Sequence, residues 1–182
     1  MTNSKAVKEN GTQASDSKQL VLGCLHCADQ CNHLLKLISQ DVYVDASHAT
    51  SSVGAHIRHI LDRFQCFFAG LQDGCIDYDA RKRDKLIENN LDAASFALAS
   101  VTRRIRELDL ENSQGATITV HESVYHLGPT VSIPSTVERE LMGLITHSIH
   151  HLAIIALIVK SFGYDMDDDF GKAPSTIVYE RR

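Results

Sequence analysis

Apolar residues return at every third or fourth position in four separate stretches of this chain. That period limits the possible folds, because each stretch makes an amphipathic helix with one face to bury. The first runs from about Ser15 to Ser39 through Leu20, Cys24, Cys27, Cys31, Leu34, Leu35 and Ile38. The second, Ser51 to Leu71, has Ser51 or Ser52 as its N-cap, an apolar face from Val53 through Ile57, Ile60, Leu61, Phe64, Phe67 and Phe68, and Gly70 and Gly74 near its close. The third starts near Leu86, follows Ile87, Leu91, Ala94, Leu98, Val101 and Ile105, and ends near Leu108. The fourth and longest spans Ser135 to Phe162, with Ser135 or Thr136 as N-cap, Glu138 in capping-box position relative to Ser135, and Gly163 as its stop. Between the third and fourth, Ala116 to Pro134 switches to period two around His126, Leu127, Gly128 and Pro129, the pattern of a small β-hairpin. The economical way to bury four such stripes is an all-α four-helix bundle. The connectors after the second and third helices, roughly 15 and 25 residues, are long enough to cross it.

Length and charge narrow the classes of function. A chain of 182 residues with 43% hydrophobic residues supplies one core. Residues 15–182 are expected to form a single domain behind a polar lead-in, residues 1–14, expected to be disordered. The tail after Gly163 is acidic, then punctuated by Gly and Pro, and is expected either to wrap back over the helices or to stay loose. With 18 Lys plus Arg against 23 Asp plus Glu there is no basic stripe to neutralise phosphates, so nucleic acid is not an expected partner. The longest apolar run, Leu152 to Val159, falls short of a membrane span, and the N-terminus lacks the apolar core of a secretory signal. The expectation is a cytoplasmic protein with no membrane partner, whose five cysteines are free thiols. Cys24, Cys27 and Cys31 share one apolar face and lack a second C-x-x-C, so they read as packing groups; Cys66 and Cys75 are isolated.

The histidines carry the chemistry. In LMGLITHSIHHLAIIALIV, His147 and His151 stand one helical turn apart, on a face shared with Leu144, Ile154, Ile155 and Ile158, while His150 points elsewhere. In SSVGAHIRHILDRF, His56 and His59 are neighbours on the second helix, and at least one faces inward with Ile60 and Phe64. Three imidazoles on one divalent ion leave coordination positions open, as in catalytic rather than structural sites. The bland alternative is a set of hydrogen-bonded core histidines. A di-iron carboxylate site is excluded by the absence of any Glu-x-x-His. HESVYH at 121–126 places its second histidine one residue too late for a zinc-protease helix.

SSVGAHIRHILDRF, followed far downstream by RELMGLITHSIHHLAIIALIVKSFG, resembles the DinB/YfiT-like superfamily of metal-dependent enzymes over residues 18–163. DYDARKR, STVEREL, HSIHH and FGKAPST resemble an uncharacterised branch of it. The resemblance implies a metal held by His59, His147 and His151, with His56 replacing His59 if the register shifts. It also implies nickel, zinc or iron as the ion, a homodimer, and transfer or isomerisation reactions that use low-molecular-weight thiols.

The expected function is therefore a three-histidine metal enzyme that activates water or a small thiol, a hydrolase or thiol-dependent transferase acting on a small-molecule substrate. Its alternative is a non-enzymatic helical protein that binds a metal or small ligand. Asp62 either orients a ligand imidazole or, preferentially, makes an ordinary surface pair with a nearby base. Tyr78, Arg81 and Arg83 lie in a connector able to cover a site and bind an anion, although solvated loop charge is the simpler expectation. Asp167, Asp168 and Asp169 lack the loop spacing of a calcium site and read as a solvated patch. No residue is singled out as general base.

Overall fold

The computed structural model describes residues 3–110 and 116–182, with side chains from Asp16 onward. Most of them are helical: α1 (Asn3–Leu37), α2 (Gln40–Val44), α3 (Val53–Gly70), α4 (Lys85–Asn89), α5 (Leu91–Arg106), α6 (Val137–Ser161) and α7 (Pro174–Glu180). The side chains of the lead-in at residues 1–14 lie outside the described residues. α1 packs on α6 and α5, and α3 packs on the same two helices, so the four long helices close a ring in the order α1, α6, α3, α5. Leu34, Ile57, Leu61, Phe67, Ile105, Leu141, Leu144, Leu152 and Ile155 fill its interior and are all but inaccessible. Cys24, Cys27 and Cys31 are buried on the α1 face, where the first two thiols approach the Leu141 and Ile145 carbonyls of α6.

The caps follow the expected chemistry. Ser52 Oγ accepts from the Ala55 amide at 3.1 Å and starts α3, and Thr136 Oγ1 accepts from Arg139 at 3.2 Å and starts α6. Of the two candidates for the α6 cap it is therefore Thr136, while Ser135 lies within a strand and donates to Glu140. Gly163 at φ +83° closes α6, with its amide on Lys160 O and the Tyr164 amide on Val159 O. α6 is long and apolar enough to cross a membrane by length and mean hydropathy of 1.8; here its apolar face packs against α1 and α3.

Two departures from the sequence reading matter, and one open alternative is resolved. The expected two-stranded hairpin is a three-stranded sheet, so the fold is helical with a small sheet rather than all-α. β2 (Thr117–Glu122) and β3 (Val131–Thr136) are the antiparallel pair, and β1 (Cys75–Asp77), inside the connector after α3, runs parallel to β2 with Cys75 opposite Thr119. A parallel neighbour requires a long crossover, which α4 and α5 supply. Gly70 permits the return, since a Cβ there would sit 2.2 Å from the Cys75 carbonyl oxygen. The third expected helix is broken at Asn90, whose extended backbone and side-chain bond to the Ala93 amide at 2.8 Å end α4 and start α5. Gln40 of α2 holds this break from both sides, accepting from Leu91 N and donating to Asn89 O. Finally, the tail wraps back: Phe170 is buried and the Gly171 amide donates to Gln30 Oε1 of α1 at 2.7 Å.

Candidate metal centre

His59 lies in the middle of α3, and His147 and His151 lie one turn apart on α6, the helix packed beside it. Apolar neighbours fix the register: Ile60 on α3 and Leu144 and Ile155 on α6 are buried in the seam, which turns the three imidazoles toward a common point. Their donor nitrogens all lie within 4.8 Å of one another. The rings meet edge to face, with centroids 4.8 Å apart for His59 and His147, 4.8 Å for His59 and His151, and 4.6 Å for His147 and His151. All three side chains are half-buried, so the cluster keeps an open side.

His56 has a different place. Its Nδ1 is 2.9 Å from His151 Nδ1, so one of the two rings donates to the other. The cluster that gathers three donors uses His59, and His56 orients His151 from behind. His150 is exposed, its ring beside that of His151.

Burial disfavours the charged form of every ring in the cluster. It lowers His59 to about 4, with Arg81, Arg58 and Arg63 adding repulsion. It lowers His147 to about 4, with Arg63 next in effect, and His151 to about 3, helped by its histidine neighbours. His56 is lowered as well, by burial and then His150. At neutral pH the rings are uncharged and their lone pairs free, the state in which imidazole ligates a metal. His147 Nε2 is buried with no hydrogen-bond partner, an orphan that an ion would satisfy. The donor set therefore fits a divalent transition ion, since small side-chain rotations can bring all three nitrogens to metal bonds of about 2.0–2.1 Å.

Around the imidazoles stands a polar rim drawn from the connectors and the sheet. Arg81 Nη1 is 3.2 Å from His59 Nδ1, and Tyr78 is buried, so both residues belong to the site rather than to solvated loop; Arg83 is exposed. Arg63 stacks over the Tyr78 ring at 3.6 Å and pairs with Glu122. The Tyr78 hydroxyl donates to Glu140 Oε2 at 2.9 Å, and Ser135 donates to its other oxygen. Glu122 and Glu140 were not singled out from the sequence: one lies on a strand, and the other lies two turns before His147 on the same face of α6, a seven-residue spacing that could have found it. Asp62 makes a pair, as expected, but a buried one: it accepts from Arg58 at 2.6 Å and is 1% exposed. It does not orient His59.

Other sequence candidates stay apart from the cluster. His121 pairs along β2 with its Nε2 4.0 Å from Cys75 Sγ, and His126 sits in the following turn beside Tyr125. The hairpin instead contributes Glu122. The acidic run is tied up locally, Asp167 accepting from the Asp169 amide and Asp169 pairing with Arg181. All five cysteines are free thiols, and burial pushes Cys24 and Cys27 up to about 12.

Comparison with protein-family models, with curated proteins and with solved structures gives no match to this chain.

Proposed function

We propose that this chain is a metal-dependent enzyme of the DinB/YfiT-like superfamily, built on a four-helix bundle, in which His59, His147 and His151 hold one divalent ion. The observation that supports this most is the meeting of three neutral imidazoles from two helices within 4.8 Å, with His147 Nε2 left unpaired. Nickel, zinc and iron all suit this nitrogen set. When bound, the ion supplies Lewis acidity and lowers the pKa of a coordinated water or small thiol. The protein's residues do the rest. His56 orients His151, and the depressed histidines stay unprotonated at neutral pH. Arg81 and Arg63 place positive charge near the imidazoles. The reaction class is hydrolysis or thiol-dependent transfer on a small molecule, in a cytoplasmic homodimer.

One observation favours a non-enzymatic reading: with no ion, Arg81 and His56 already satisfy two of the three imidazoles, as in a hydrogen-bonded polar cluster. Elemental mass spectrometry on tag-free wild type, His147→Ala and His151→Ala separates the two. About one equivalent of a transition metal in the wild type, lost in both variants, supports the metal enzyme and justifies screening hydrolytic and thiol-dependent reactions. A wild type that stays empty after incubation with zinc, nickel and iron(II) overturns it and leaves the polar-cluster reading.

A further inference from the structure

Arg81 sits where a ligand to the proposed metal and a second molecule would compete for it. A guanidinium is always a donor, so in its 3.2 Å contact with His59 the ring Nδ1 must be the acceptor and the ring proton must lie on Nε2. Metal binding is incompatible with that arrangement whichever nitrogen is used. Through Nδ1, the ion takes the lone pair that Arg81 occupies. Through Nε2, the proton moves to Nδ1, which then has nothing to offer a donor. Loading the centre therefore frees the Arg81 guanidinium beside the ion.

The freed group has few places to go. None of the described ion pairs includes Arg81, and its Nε is already buried without a hydrogen-bond partner. Arg63 adds a second positive charge that reaches His147; Glu122 holds its outer nitrogens, Tyr78 stacks on its guanidinium face, and its Nε too is buried and unpaired. The charge of both arginines reaches the imidazoles, lowering His59 and His147. Two cations next to an open metal position, with unused donors, make a receptor for an oxyanion.

We infer that the substrate carries a carboxylate or phosphate group, which Arg81 binds beside the metal once the ion has displaced it from His59, with Arg63 as a fixed second charge. This rests on the metal reading above and names the substrate class of that site. Asp62 and Asp79, whose carboxylates both feel the Arg81 charge, are the acceptors among the described residues that compete for it.

The test uses full-length protein loaded with cobalt(II), whose visible absorption reports changes at the ion, and titrates it separately with acetate and with inorganic phosphate. Wild type, Arg81→Gln and Arg81→Lys are compared, and bound cobalt is quantified in each. The expected result is saturable binding of at least one anion by the wild type. Arg81→Gln weakens it by about ten-fold or more, the loss of one charge-assisted hydrogen bond, while retaining cobalt at or above the wild-type level because a competitor for His59 is gone. Arg81→Lys recovers part of the affinity. Preference for acetate or phosphate then distinguishes the two headgroups. Full cobalt occupancy with anion affinity equal in wild type and Arg81→Gln, or with no anion bound by either, overturns the inference and leaves the metal reading standing. A wild type that takes up no cobalt overturns both.

Discussion

Replacing Arg58 by Ala tests the electrostatic brace under the centre. Arg58 lies one residue before His59 and reaches in two directions: Nη1 is 2.6 Å from Asp62 Oδ2, and Nε is 2.8 Å from Glu88 Oε2 of α4. Glu88 keeps a second cation, Lys85 at 2.8 Å, but no other described ion pair includes Asp62, which is 1% exposed. Removing one partner of a buried pair costs about 3–5 kcal/mol because the other charge is stranded. With the Arg58 side chain 15% exposed, the lower end applies, about 3 kcal/mol, or a fall in Tm of roughly 6–12 °C for a chain of this size. The pH dependence identifies the stranded group. Burial holds the Asp62 carboxyl above its ordinary value of 3.8, and Arg58 opposes that rise, so the substitution lifts it further. Between 3.8 and the raised folded value the native state holds more protons than the unfolded chain, and stability falls as pH rises. Relief of His59, which Arg58 helps to lower, acts in the same direction. Urea denaturation of wild type and Arg58→Ala at acidic and at mildly alkaline pH should give a penalty that is larger at the alkaline end. Adding Asp62→Asn should recover part of it there. A penalty under about 1 kcal/mol, or one that does not change with pH, would refute the buried-brace argument.

Three further outcomes follow, two from the buried histidines and one from the tail. Because burial lowers His59 and His147 to about 4 and His151 to about 3, protons compete with metal only well below the ordinary 6.5. Calorimetric metal affinity should therefore stay level from pH 8 down to about 5, whereas a decline starting near 6.5 would contradict the buried cluster. The metal-free protein should show the linked effect, losing stability as pH falls through 6.5, where the unfolded histidines take up protons that the native ones refuse. In the tail, Gly171 has φ +70° and a Cβ there would lie 2.6 Å from the Ala153 amide nitrogen of α6. Gly171→Ala should cost about 1–3 kcal/mol and open the C-terminal segment to proteolysis; an unchanged Tm and digestion pattern would show that this clasp does not hold the tail.

The long helices were legible because each buries one continuous stripe, and a stripe prints its period on the sequence. Val53 through Phe68 and Leu141 through Val159 recur at three- and four-residue steps for that reason, and His59, His147 and His151 inherit their common direction from Ile60, Leu144 and Ile155 beside them. What escaped was decided by contacts between distant segments. β1 is three residues long, too short to show a period, and exists because β2 offers it an edge more than forty positions away. The break at Asn90 hides inside an unbroken apolar pattern, since Ile87 and Leu91 keep their spacing across it; only an amide side chain able to cap α5 distinguishes the site. Asp62 looked like half of an exposed pair because bases stand near it in sequence, yet it is 1% exposed, and its partner Arg58 is held as well by Glu88 of α4.

This division has a functional consequence. The imidazoles come from regular helices, whose packing fixes them before any ligand arrives. The cations come from less uniform places: Arg63 is held on α3 by Tyr78 of the connector and Glu122 of the sheet, and Arg81 lies on a connector with no ion pair of its own among the described residues. Changes on the helices should thus act on metal affinity, and changes in the segment from Cys75 to Arg83 on what is bound beside the metal. Among the described residues the one hydrogen bond joining the two sets is Arg81 to His59, and it cannot coexist with a ligated His59. On the proposed metal reading, ion occupancy and the position of Arg81 are consequently linked by the tautomer of a single ring, so a ligand that draws Arg81 away from His59 must also raise the affinity of the three imidazoles for an ion.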